Sequence, residues 1–175
     1  MIIFILALLA AQAAAPVQTA AGVTTVVIVR HAEAVPDSGP DPVLSEAGAA
    51  RANALAEALA DAGVKAVITT QYQRTALTGG PLAAALNVPL IKESIAGGPA
   101  GFEAYARNAV QTVRTKYAGG TVVIVGHSNT VPALVKAFSG VDVGEIAHDS
   151  YDRMFVVTLG ADGSGSVVRA RYGAR

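Results

Sequence analysis

The sequence predicts an α/β fold, a three-layer sandwich with a mostly parallel central sheet, helices on both faces and an antiparallel C-terminal edge. Three observations carry this. Thr25 to Val29 is a run of β-branched and aliphatic residues with no polar face, and the stretch Thr121–Thr130 opens with another, the pattern of strands covered on both sides. Alanine-rich stretches with helical spacing alternate with the strand-like segments. Near the C-terminus, Arg153–Leu159 and Ser166–Tyr172 flank Ala161-Asp162-Gly163-Ser164-Gly165, which reads as an antiparallel hairpin. A chain of 175 residues suits one domain with a full core.

In chain order, the first strand runs into Arg30 and His31, and Ala34 to Asp41, with Pro36, Gly39 and Pro40, is a loop at its carboxyl end. Ala47–Ala62 is a helix, capped by Ser45 or Asp41 and stopped by Gly63. Val64–Thr69 is a short strand, and Tyr72–Leu86 is a second helix that Gly79-Gly80-Pro81 is expected to interrupt or kink. Val88–Ile91 is a short strand. Lys92 to Gly101 loosens into glycines and Pro99 before helical spacing returns over Phe102–Tyr117. After the second long strand, Thr130–Phe138 is a helix with Pro132 tolerated in its first turn, and Val141–Asp149 is a loop.

The N-terminus stands apart. Residues 1–15, MIIFILALLAAQAAA, read as a secretory signal peptide, with Ala11-Gln12-Ala13 as a small-x-small cleavage pattern and Ala13-Ala14-Ala15 as a second option. Residues 16–22 form a flexible tether, and 23–175 form the domain. This organisation implies export, periplasmic or secreted, with no integral membrane segment after cleavage; an uncleaved anchor is the alternative. The apolar run is shorter than the ~20 residues of a membrane span. Thirteen basic residues balance thirteen acidic ones, so no long-range field draws the chain to nucleic acid or an anionic membrane. The chain has no cysteine, which excludes disulfides, thiolate catalysis and cysteine-bound zinc.

The chemistry gathers at the sheet's carboxyl edge, where open α/β sheets place their ligand crevices. Arg30 and His31 end the first strand, Arg74 starts a helix, and His127 ends the second long strand just before the helix at Thr130. Two guanidinium forks, two imidazoles and a helix N-terminus suit a dianion such as phosphate. Positive neighbours disfavour protonation of a histidine there and leave a neutral imidazole able to attack phosphorus. His148, in a polar loop, reads as a structural or surface residue. Three histidines at these separations match no local metal motif, so neither a metal nor another cofactor is expected.

Four segments resemble the histidine phosphatase superfamily, the phosphoglycerate-mutase-like fold, and they occur in that family's order. Arg30-His31-Ala32-Glu33 resembles its Arg-His-Gly-Glu signature, with Ala32 in place of glycine, which leaves the backbone behind His31 less free. Asp41-Pro42-Val43-Leu44-Ser45-Glu46-Ala47-Gly48 resembles the segment opening its first helix, and Thr70-Gln71-Tyr72-Gln73-Arg74-Thr75-Ala76-Leu77-Thr78 resembles its phosphate-arginine element. Val125-Gly126-His127-Ser128 resembles its second-histidine motif. The resemblance implies a metal-independent phosphomonoesterase acting on a small-molecule phosphomonoester, with His31 as the nucleophile that becomes phosphohistidine and Arg30, Arg74 and His127 holding the phosphoryl oxygens. Leu90-Ile91-Lys92-Glu93 resembles the segment carrying the family's general acid, so Glu93 is the expected proton donor, with Glu103, Asp37 and Asp149 as rivals. A member without an acid implies a substrate with a good leaving group. The short chain after Ile91 argues against a mutase cap, and the signal peptide argues against the phosphohistidine-protein phosphatase activity of small cytoplasmic relatives.

Two other readings compete. One is a phosphate- or phospholigand-binding module of the same fold that does not turn its ligand over. The other is a serine hydrolase, because Gly126-His127-Ser128-Asn129-Thr130 has the outline of a nucleophile elbow, although Thr130 replaces the second glycine and only His148 follows as a triad histidine.

Overall fold

The computed structural model describes residues 22–160 and 162–174. The predicted signal peptide and all of the tether but Gly22 lie outside the described residues. Six strands, β1 (Thr24–Arg30), β2 (Val64–Thr70), β3 (Leu90–Glu93), β4 (Thr121–Gly126), β5 (Arg153–Leu159) and β6 (Gly165–Arg171), form one sheet in the order β3-β2-β4-β1-β5-β6. The first four are parallel, while β5 runs antiparallel to β1 and to β6, so the antiparallel C-terminal edge is as expected.

The apolar strands are covered on both faces because helices supply a stripe to each. Helices α1 (Glu46–Ala58) and α2 (Gln73–Leu86) place Leu55, Leu59, Leu82 and Ala83 against Val27, Val29, Val67, Val123 and Val125. Helices α3 (Gly98–Lys116) and α4 (Thr130–Ser139) place Ala109, Val113, Leu134 and Phe138 against Val26, Ile28, Ile68, Val122 and Ile124. Alternate side chains of one strand thus enter different cores, which explains why β1 and β4 show no polar face. Among the described residues no helix is long and apolar enough to cross a membrane.

Several boundaries differ from expectation, and helix α3 already starts at Gly98, four residues before Phe102, because Pro99 suits a first helical turn instead of extending the loop. Helix α1 ends at Ala58 because the chain tightens, with Ala60 N–H donating to Glu57 and Ala62 N–H to Leu59, before Gly63 turns at φ +63°. Helix α2 runs through Gly79-Gly80-Pro81 without interruption. Gly79 is there for packing: a Cβ would lie 2.7 Å from Val67 Cγ1, so only glycine lets α2 settle this close to the sheet. Strand β3 begins at Leu90, two residues late, because Asn87 is left-handed and Val88 N–H still closes α2 on Ala83.

Capping ties the helices to the functional edge. Ser45 Oγ accepts from Gly48 N–H at 3.1 Å, and Ser45 N–H donates to the Glu33 carbonyl at 2.9 Å. Asp41, the other candidate cap for α1, serves α2 instead: its carboxylate accepts from Gln73 N–H at 2.9 Å.

Candidate functional site

Strand β1 delivers Arg30, only 3% exposed, at its carboxyl end. Its Nη1 donates to the carbonyls of Ala147 (3.1 Å), His148 (2.8 Å) and Ser150 (3.3 Å), and its guanidinium lies 4.0 Å from the centre of the Tyr151 ring. One face of Arg30 therefore organises the 147–150 loop. Burial lowers its pKa, and Tyr151 opposes that shift.

His31 follows, with Nδ1 2.8 Å from the Ala32 carbonyl. A carbonyl only accepts, so Nδ1 carries the proton of the neutral ring and Nε2 holds the lone pair. Burial is the largest cause that pushes the His31 pKa down, to about 4, with Arg30 and Arg74 adding to it against the Ala32 hydrogen bond. His127 is pushed down to about 3, by burial first and then by His31, Arg74 and Arg30. The two rings meet edge-on at 5.3 Å. His127 Nε2 lies 3.0 Å from Thr70 Oγ1, which lies 2.9 Å from Thr75 Oγ1, and the Thr75 hydroxyl reaches the Tyr72 carbonyl at 2.8 Å. If each hydroxyl donates onward to that carbonyl, His127 donates into the chain from Nε2 and its Nδ1 is the basic nitrogen.

These shifts make stability depend on pH with a defined sign. Between the unperturbed value of 6.5 and about 4, the unfolded chain binds protons at His31 and His127 that the folded chain does not. Stability then falls as pH is lowered through that window. Glu93, raised by burial, works in the opposite direction but is a single group. The melting temperature is expected to drop steadily from pH 7 to pH 4, and a flat profile there would contradict neutral burial of both rings.

Arg74 sits in the first turn of α2, its guanidinium 4.3 Å from the Tyr72 ring centre and its Nη1 3.7 Å from Asp41 Oδ1. Arg30, His31, Arg74 and His127 all line one cleft of about 590 Å³, together with Ser128 and Asn129 at the start of α4. The structure thus brings together all four of the expected phosphate-site residues. His148, expected as a structural or surface residue, is exposed but also lines the cleft.

The expected acids are elsewhere. Glu93 ends β3 facing α3, where its Oε1 accepts from Thr112 Oγ1 at 3.4 Å, and the structure does not place it in the cleft lining. Glu103 pairs with Arg107 at 3.7 Å on an exposed side of α3. Asp37 is exposed at φ +52°, and Asp149 lines a separate hollow with Arg51, Asp152 and Arg171. Ala32 is fully buried without positive φ, and its N–H donates to Thr78 Oγ1 at 2.9 Å, so alanine is accommodated behind His31. Ser128 makes no hydrogen bond to a histidine among the described residues; the hydroxyl that works in this turn is Thr130, which accepts from His127 N–H at 2.8 Å. Among the described residues no cluster of three or more metal-type ligands occurs.

Sequence reasoning missed Thr70, Thr75 and Thr78, all fully buried and all holding site backbone or His127. Their signal was present, because the three threonines recur within the nine residues around Arg74. Tyr151, whose ring centre is 6.0 Å from that of His31, had no such signal.

The family model of the histidine phosphatase superfamily (branch 1) matches residues 26–95, which include Arg30, His31 and Arg74. None of the curated proteins matches the chain significantly. Among solved structures, the protein histidine phosphatase SixA complexed with tungstate is 20% identical, with 84% of this chain and 96% of that one covered and a TM-score of 0.67. YhfR of Bacillus stearothermophilus is 18% identical, covering 83% of this chain and 95% of its own, with a TM-score of 0.69. The mycobacterial glucosyl-3-phosphoglycerate phosphatase is 15% identical, covering 87% and 100%, with a TM-score of 0.66. At these identities the likeness is one of fold.

Proposed function

We propose that the chain, whose residues 26–95 match the family model of the histidine phosphatase superfamily, is a member of that superfamily and a phosphomonoester hydrolase working through a covalent phosphohistidine on His31. The observation that carries this reading is the neutral His31 ring, proton pinned on Nδ1 by Ala32 and lone pair left on Nε2, in one cleft with Arg30, Arg74 and His127. Nε2 attacks phosphorus as the ester oxygen leaves with the P–O electron pair. Water then attacks the phosphohistidine, the P–N bond breaks and orthophosphate departs. The arginines hold the non-bridging oxygens, and His127 donates to them once the bound dianion favours its protonated form. A neighbour of this fold solved with tungstate, a tetrahedral oxyanion, supports an oxyanion site in the same architecture. No step draws on a metal ion, and the partner is a small-molecule phosphomonoester. Export, directed by residues 1–15, belongs to the same reading.

Acid-sensitive, base-stable phosphate trapped during p-nitrophenyl phosphate turnover and mapped by mass to the His31 peptide is the expected result. Vanadate binding without any turnover would make the chain a phospholigand-binding module instead.

A further inference from the structure

Above the phosphate-binding floor the cleft has two apolar walls. Val35, Pro36, Pro40 and Pro42 form one, and Ile95 and Phe102 lie on the other, with Tyr72 on the lining between them in sequence. Among the described residues that line the cleft, the only arginine, lysine or carboxylate side chains are Arg30 and Arg74. Both walls are fastened to the short connection from β2 into α2. Gln71 grips the main chain of Ile95 twice, Nε2 donating to its carbonyl at 3.2 Å and Oε1 accepting from its N–H at 3.0 Å. Gln73 grips Asp41 twice, its N–H donating to Oδ1 at 2.9 Å and its Nε2 to the carbonyl at 3.3 Å. The Asp41 loop is closed on itself by Val35 N–H donating to Val43 at 3.0 Å and by an antiparallel bridge between Ala34 and Leu44. The opening between the walls is therefore set by Gln71 and Gln73, two residues apart, and three prolines stiffen one side.

We propose that this slot selects monoesters of flat, apolar phenols, that is, small aryl phosphates; the inference rests on the His31 phosphatase reading. Two features converge on it. Val35, Pro36, Pro40 and Pro42 on one wall and Ile95 and Phe102 on the other carry no side-chain partner for the hydroxyls of a sugar or glycerol phosphate. That leaves only Ser128, Asn129, His148 and the tyrosine hydroxyls to compensate their desolvation, whereas a phenyl ring needs no such partner. A lining without a carboxylic acid favours a leaving oxygen that departs without one, and a phenol, with a pKa of about 10, leaves as phenoxide far more readily than an alcohol does. In the step itself the P–O(aryl) bond breaks as P–Nε2 forms, and the phenoxide takes its proton from water at the open mouth. A phosphorylated imidazole also has a good leaving group, but its polar ring, cationic when protonated, suits neither the apolar walls nor two arginines.

The test compares kcat/KM for substituted phenyl phosphates and 2-naphthyl phosphate with glycerol 3-phosphate, glucose 6-phosphate and phosphoimidazole, beside His31→Ala. Aryl phosphates are expected to lead by at least about 100-fold, with kcat/KM falling steeply as the phenol pKa rises. Phe102→Ala is expected to raise KM for 2-naphthyl phosphate about 10-fold while the inhibition constant of orthophosphate stays unchanged. Equal turnover of sugar phosphates, a flat dependence on phenol pKa, which would make a lining group such as His148 the proton donor, or a lead for phosphoimidazole would each overturn the aryl assignment. In those cases His31-dependent turnover leaves the phosphatase reading intact. Absence of turnover for every substrate sinks both.

Discussion

His31→Ala is expected to lower turnover of any accepted phosphomonoester by on the order of 10⁶-fold, the scale seen when a covalent catalyst loses its nucleophile. The loss is large because nothing else in the cleft is placed to replace it. His127, its ring centre 5.3 Å away and edge-on to His31, is anchored through Nε2 to Thr70 and does not occupy the position from which His31 Nε2 attacks. Arg74→Ala is expected to cost less, roughly 10² to 10³-fold in kcat, since it removes one stabilising charge and leaves the reaction path in place. Steady-state kinetics with single-turnover controls reads both. A His31→Ala enzyme within 10-fold of the wild type would reject the nucleophile assignment.

The second large effect is structural. A Cβ on Gly48 would stand 2.0 Å from the Glu33 carbonyl oxygen and 2.9 Å from its carbon, both main-chain atoms that no rotamer change can move aside. That carbonyl also accepts from Ser45 N–H, so any retreat breaks the seam between α1 and the strand end carrying His31. Gly48→Ala is expected to destabilise the fold by about 3 kcal/mol, at the upper end of overpacking costs, and to impair catalysis in the molecules that remain folded. Gly80→Ala is the control. It lies in α2 with open space around its Cβ position, so the same substitution is expected to stabilise by about 0.5–1 kcal/mol. Denaturant midpoints measured on the two variants decide the point, and equal midpoints would refute the steric argument.

The sheet and its polar edge were legible because both depend on local pattern. Runs such as Val26 to Val29 state their burial directly, and Arg30, His31 and His127 follow strands whose carboxyl ends must share an edge in a parallel sheet. Features set by contacts across the chain were not legible. Gly79-Gly80-Pro81 looks like a helix breaker until Val67 and Val125 are seen beneath Gly79. The position of Glu93 depends on which face of the four-residue edge strand β3 turns towards α3, which its sequence does not specify. The rim segments around Val35 to Leu44 and Val141 to Tyr151 were recognisable as loops, whereas the stretch from Glu93 to Phe102 read as a loop but holds the end of β3 and, from Gly98, the first turn of α3. The glutamine clamps that shape two of them join residues more than twenty positions apart. The threonines beside Arg74 needed only closer reading, since Thr70 ends β2 and the spacing of Thr75 and Thr78 puts both on the inner side of α2.

The order of strands also governs when activity can arise during synthesis. Strand β1, near the start of the domain, pairs only with β4 and β5, so Val26 waits for Val122 on one side and Val157 on the other. A nascent chain released before residue 121 has no partner for the strand that carries Arg30 and His31. Such non-local pairing slows folding, because a long loop must close before any contact compensates for it. Helices α1 and α2 can form early, but His31 gains its fixed setting only when the last third of the chain has emerged.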